Sequence, residues 1–203
     1  MITRLLLVAA CPLVLAVLFA CGSSPIVSFY TLSVESASDT GSDMSAKQLR
    51  IAVGPISIPE IVDRPQMVVR SGPNQVILVE EHRWAESLNT EIPRIIAENL
   101  SRLLSTEQVW AYPQVAKDAV DYRVAADIQR FESVPGQSVA IEALWSVQRI
   151  SEDHPDLRTG RSSVQQPVAG QSYEALAAAH SRALAAISRE IATVISAVPR
   201  SAP

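Results

Sequence analysis

Leu49, Ile51 and Val53 alternate with Arg50, Ala52 and Gly54, the period of a strand with one buried face. Pro55 follows and suits the end of such a strand or a sheet edge, where no ladder N–H is needed. Val27–Leu32 predicts an earlier strand. Gln66–Arg70 and Gln75–Glu80 are β-rich runs around Ser71-Gly72-Pro73-Asn74, the composition of a hairpin turn. Gln108–Tyr112 predicts a short strand ended by Pro113. Val120, Tyr122, Val124, Ala126 and Ile128 alternate with polar or small neighbours, as do Val139, Ile141, Ala143, Trp145 and Val147. Val134-Pro135-Gly136 lies between these two runs and predicts a long antiparallel hairpin. A third strand is expected between Arg161 and Val168, after a polar turn from Ser151 to Gly160.

Elsewhere the period is helical. Leu88, Ile92, Ile95, Ile96, Leu100, Leu103 and Leu104 fall at steps of three and four and form one apolar stripe. Pro93 interrupts it. Either proline occupies the first turn, where its missing N–H costs little, or the helix is kinked there; the regular part is expected to start at Pro93, with looser helix upstream over Ala85–Leu88. Leu176, Ala183, Leu184, Ile187, Ile191, Val194, Ile195 and Val198 repeat the spacing in an alanine-rich segment without Pro or Gly. Together these elements predict a single α/β domain over residues 21–198, a mixed β-sheet packed by two amphipathic helices in a layered sandwich. Trp145 shares the phase of Ile141 and Ala143 and is expected in the core. Trp84, flanked by charge, is expected near the surface.

The amino terminus carries a different signal. Arg4 precedes an apolar run from Leu5 to Ala20, shorter than a bilayer span and typical of an export leader. The run ends Leu18-Phe19-Ala20-Cys21, followed by Gly22, which resembles the bacterial lipobox. That resemblance implies removal of residues 1–20 and acylation of Cys21, and Gly22 rather than Asp implies sorting to the outer membrane, facing the periplasm. Residues 33–46 are small and polar and predict a flexible loop, and residues 199–203 are expected to fray.

The 203 residues are 48% hydrophobic, enough for one domain with a sizeable core. A net charge of −4 disfavours nucleic-acid binding, which needs a concentrated positive field. On the lipobox resemblance, Cys11 would leave with the leader and Cys21 would carry lipid, so no internal disulfide is expected. His82, His154 and His180 lack metal-ligand spacing, and no glycine-rich phosphate loop or Gly-x-Ser-x-Gly elbow is present. Glu80-Glu81 and the pair Asp153 and Asp156 read as solvated charge. The sequence therefore predicts neither an enzyme nor a cofactor or metal.

Two stretches stand out. Ile58–Arg70 mixes apolar and ionic residues around Pro59 and Pro65. Its plain reading is a connection with an Asp63–Arg64 surface pair of little energetic worth. His82–Leu88 sets Trp84 before the first helix, either packed across the helix start or exposed as an aromatic anchor. Arg64 and Trp84 are accordingly the candidate partner-binding residues.

The lipobox, Phe29-Tyr30-Thr31-Leu32, Val53–Pro59, Asp63-Arg64-Pro65-Gln66 and Arg83–Leu88 occur in an order that resembles the PqiC/YmbA family of ABC-type transport auxiliary lipoproteins. Tyr122-Arg123-Val124, Arg130-Phe131, Ala143-Leu144-Trp145 and the last helix continue the likeness over nearly all of the mature chain. The resemblance implies an outer-membrane lipoprotein of α/β fold. Its partners would be an MCE-domain protein with an inner-membrane permease and ATPase, in a system that moves lipids between membranes and supports envelope integrity. It is compatible with a ring-like homo-oligomer and supplies no catalytic residues. The alternative is a periplasm-facing carrier that shelters an acyl chain in its own core; a carrier needs an apolar cavity, an adaptor a closed core and an outer patch. Replacing Cys21 with Ser is expected to leave the body folded but unlipidated and released from the membrane. Metabolic labelling with palmitate checks this, and equal incorporation in both proteins would refute it.

Overall fold

In the computed structural model, residues 25–35, 49–112, 120–150 and 156–197 are described. The leader, Cys21, most of the 33–46 loop, His154, Asp153 and the 199–203 tail lie outside them. In chain order the elements are β1 (Ser28–Tyr30), β2 (Ile51–Ser57), a 3-10 turn (Glu60–Val62), β3 (Gln66–Gly72), β4 (Gln75–Trp84), α1 (Leu88–Leu103), β5 (Val109–Ala111), β6 (Tyr122–Val134), β7 (Ser138–Arg149), β8 (Asp156–Pro167) and α2 (Tyr173–Ala197). This is a mixed α/β domain with two helices, as the periodicity indicates. The strands divide into two sheets, of order β1-β4-β3 and β5-β2-β6-β7-β8. Alternation gives a strand's faces but not its neighbours. β6 is already paired with β2 and β7, so the β3–β4 hairpin finds its further partner in β1.

The expected hairpins are formed: β3 pairs antiparallel with β4, and β6 with β7 from Tyr122↔Arg149 to Val134↔Ser138. β2 runs parallel to both β5 and β6. Pro55 lies within β2, but β5 pairs only with Ile51–Val53 and the β6 register slips between Val53 and Ile56. There the strand is locally an edge, and the missing N–H interrupts nothing.

Both helices cover one face of the five-stranded sheet, α1 over β2 and β5, α2 over β7 and β8. Ile51, Val53, Val124, Ile141 and Val147 meet Ile92, Ile96, Leu100, Leu184, Ile187 and Ile191 in a closed core. The segment from β1 onward is fixed to this body. The Leu32 N–H donates to Glu91 Oε1 at 2.8 Å and the Ser33 N–H to Ser181 Oγ at 3.0 Å. Tyr30 O accepts the Ala85 N–H at 2.8 Å.

Three expectations need correction. The first helix does not begin at Pro93 but at Leu88, with Pro93 buried inside it. The chain before Pro93 is held rather than loose. Ser87 O accepts the N–H groups of Thr90 and Glu91, both at 2.9 Å. Asp63 accepts from Ser87 Oγ at 3.4 Å and Asn89 Nδ2 at 2.5 Å. The anchored first turn and the packing around Pro93 offset the bond that proline cannot make.

Second, the third long strand begins at Asp156 and contains Gly160, which the sequence had suggested ends a turn. Trp145 is the register partner of Gly160 and its ring lies against that backbone; a Cβ on Gly160 would stand 2.2 Å from a ring carbon. Glycine is thus a packing requirement of the tryptophan rather than a turn signal.

Third, Trp84 is not near the surface. It is 5% exposed, its ring edge-on to Phe131 and His180 at centroid distances of 6.3 and 6.1 Å. Strand alternation decides this against the charged neighbours: Arg83 points out and Trp84 in. The Trp84 N–H also donates to Pro65 O at 2.7 Å.

Trp145 is 7% exposed, as its phase indicates. Its Nε1–H donates to Ser162 Oγ at 2.8 Å, and the Ser162 hydroxyl donates to Glu190 Oε2 on α2 at 2.5 Å. Trp145→Ala is expected to cost about 3–5 kcal/mol, the usual range for emptying a buried aromatic site. Gly160→Ala should also destabilise, and the double variant should lose less than the sum of the two. Denaturant melts of the three variants check this; additive losses would show that ring and glycine do not share one space.

Candidate functional site

The face of the five-stranded sheet turned away from the helices carries a shallow groove of ≈ 810 Å³, lined by strand residues alone. It runs across four strands. The register Ile56↔Ala126, Ala126↔Trp145 and Trp145↔Gly160 forms its floor. Asp127, Leu144 and Arg161 make one wall, and Ala125, Ser146 and Thr159 the other. Small side chains at 125 and 146 open the groove. Leu144 is 39% exposed, an apolar residue in the solvent-facing phase of its strand. Asp127 is held by the Ser57 hydroxyl at 2.5 Å.

Beside the groove, alternating charges cross the sheet and continue onto its neighbour. Arg161 pairs with Glu142 at 3.0 Å, Glu142 with Arg130 at 3.2 Å, Arg130 with Glu132 at 2.6 Å, and Glu132 with Arg70 of β3. Burial acts to raise the Glu132 carboxyl, but the hydrogen bonds from Arg70 and Arg130 outweigh it and hold it below the usual range. Hydrogen bonds from Arg161 and Arg130 also lower Glu142. Exposed pairs of this kind contribute little stability each. Their effect is to fix five charged groups in place next to an apolar concavity. Sequence reasoning missed this surface. Its signal was the polar phase of β6–β8, where Leu144 is out of character and Arg and Glu recur at 130, 132, 142 and 161.

The two residues singled out by sequence, Arg64 and Trp84, are not part of the groove. The expected Asp63–Arg64 surface pair is not formed, because the Asp63 carboxylate is engaged by Ser87 and Asn89. Arg64 is half-buried, and its Nε is buried without a hydrogen-bond partner. Trp84 belongs to the core. The stretch from Pro59 to Leu88 thus ties the 3-10 turn, β4 and the start of α1 together.

Among the described residues, His180 and Glu91 are titratable groups that are fully buried. His180 stacks on Phe131 at 3.9 Å and shares a hydrogen bond of 2.7 Å with the Ser133 hydroxyl. Burial pushes its imidazole down to about 3. Glu91 holds the Leu32 N–H through Oε1, while Oε2 is buried without a partner. Burial raises this carboxyl, against the hydrogen bond from Leu32 and the nearby charge of Arg94. Among the described residues no cluster of His, Cys, Asp and Glu could hold a metal, and no helix is long and apolar enough to cross a membrane.

The fold and this surface define a small α/β domain with an open sheet face and a filled core. Two solved structures share that fold. Protein XCC0632 from Xanthomonas campestris, of the family designated DUF330, is 22% identical with a TM-score of 0.63, covering 84% of this chain and 96% of its own. An uncharacterised protein is 16% identical with a TM-score of 0.64, covering 84% and 99% respectively. No protein of curated function matches in sequence. The family model of the ABC-type transport auxiliary lipoprotein component matches residues 30–192. The chain belongs to this PqiC/YmbA-type family, an auxiliary part of ABC-type transport.

The buried histidine makes a pH prediction. Unfolded, His180 binds a proton below about 6.5; folded, it does so only near 3. Its contribution to stability is therefore complete above the unfolded value and is lost as pH falls through that window. Between pH 7.5 and pH 5 this amounts to about 2 kcal/mol. Glu91, raised by burial, acts in the opposite sense above the ordinary carboxyl range. Urea melts of wild type and His180→Gln at the two pH values isolate the histidine; equal slopes in the two proteins would refute the assignment.

Proposed function

We propose that this chain is a non-enzymatic adaptor of an MCE-type ABC lipid-transport system. It is acylated at Cys21, anchored in the outer membrane facing the periplasm, and docks an MCE-domain protein that works with an inner-membrane permease and ATPase. Its role is to support lipid movement between the membranes and so envelope integrity. The observation that carries this reading is the two-faced sheet. One face is filled by both helices, while the other presents a groove around Leu144 with fixed charges beside it. Membership in the auxiliary lipoprotein family supports the transport setting.

The carrier reading keeps one observation in its favour: the same groove could seat an acyl chain. It is an open surface channel, however, and of the two positions whose enlargement would fill a carrier's interior, Ala143 is packed in the core while Ala126 lines the open groove. Leu144→Glu and, separately, Arg64→Glu are each expected to reduce co-purification with the MCE-domain protein about tenfold or more, the effect of losing one strong contact. Leu144 is exposed, so the fold of its variant should be unchanged by circular dichroism; Arg64 has a buried Nε, so its variant counts only if its thermal melt matches wild type. Undiminished co-purification, together with stoichiometric lipid in a solvent extract of the purified protein, would overturn the adaptor in favour of the carrier.

A further inference from the structure

Among the described residues, the first strand and the chain just before it carry three exposed apolar side chains. Leu32 is buried and Tyr30 packs against His82 and Tyr173. Phe29, on the opposite phase, is 64% exposed, and Ile26 just before it is 90% exposed with Val27 also open to solvent. Single exposed apolar residues are ordinary on a protein surface. Three within four positions, including a phenylalanine in a strand, are less so.

What covers them follows from chain length. Cys21 precedes Ile26 by five residues, and a fully extended chain of that length spans at most about 17 Å. There is no slack at the far end. β1 is hydrogen-bonded to β4 in the register Phe29↔Arg83, and the Leu32 and Ser33 amides are fixed to Glu91 and Ser181. Other exposed apolar residues, such as Leu157 on β8 or Ile77 near the tip of the β3–β4 hairpin, lie far along the chain from Cys21 and are under no such tether.

We propose that Ile26, Val27 and Phe29 form a membrane-contact edge: the bilayer that holds the acyl chains of Cys21 also receives these three side chains. The inference rests on the reading of Cys21 as acylated. Acyl chains alone would leave the domain free to swing on its tether, whereas an apolar strand edge seated in the interface fixes its orientation. Interfacial binding grows with the apolar area buried, so these side chains add to what the acyl chains supply.

The test uses the full lipoprotein, purified after processing and reconstituted into vesicles of phosphatidylethanolamine and phosphatidylglycerol carrying a spin-labelled lipid. Phe29→Cys and Leu157→Cys are each labelled with an environment-sensitive fluorophore. Both sites are exposed, so neither variant disturbs the core. The expected result is co-flotation of both proteins with the vesicles, with a blue shift and several-fold stronger lipid quenching at position 29 than at 157. Flotation with equal quenching at the two sites would overturn the contact edge and leave the lipid anchor standing. Failure to float would overturn the anchor, and the contact edge with it.

Discussion

Trp84, Phe131 and His180 come from the three-stranded sheet, the five-stranded sheet and α2, and their rings meet in one cluster, with Phe131 and His180 stacked and Trp84 edge-on to both. The two sheets have no shared ladder, so their relative placement depends on side-chain packing, and large aromatic groups supply most contact area per residue. The stack requires an uncharged imidazole in an apolar site, which burial enforces. Around it the hairpin settles against β6, Arg70 reaches Glu132, and the charge row crosses from one sheet to the next.

The elements of this fold were legible because they rest on short-range periodicity. Val124, Ile141 and Val147 declare the buried phase of their strands, and Leu184, Ile187 and Ile191 that of α2. What remained hidden depends on contacts between distant positions. Nothing near Gly160 in the sequence reveals that Trp145 will lie on it. Nothing near Pro93 reveals that Asp63 secures the helix start ahead of it. Trp84 misled because its neighbours are charged, yet in a strand adjacent residues face opposite ways. The division into two sheets was illegible for the same reason: pairing choice is not written in alternation.

The candidate site shows the same division. Arg64 and Trp84 drew notice as a charged and an aromatic residue within one stretch; the tryptophan is a core residue, while Arg64 stays partly exposed outside the groove. The groove across β2, β6, β7 and β8 is assembled from residues more than 100 positions apart, such as Pro55 and Arg161, each ordinary in its own context. Leu144 alone breaks its local pattern.

The parallel pairing of β1 with β4 bears on how this domain withstands tension. A pull on its amino-terminal end acts along β1, so the hydrogen bonds to β4 are loaded in shear, with those of the Leu32 and Ser33 N–H groups behind them. A hairpin pulled at its open end unzips one rung at a time. Short as it is, β1 is set in the geometry that shares a load, and the last holds before the core, Glu91 and Ser181, sit on the two helices that pack against each other.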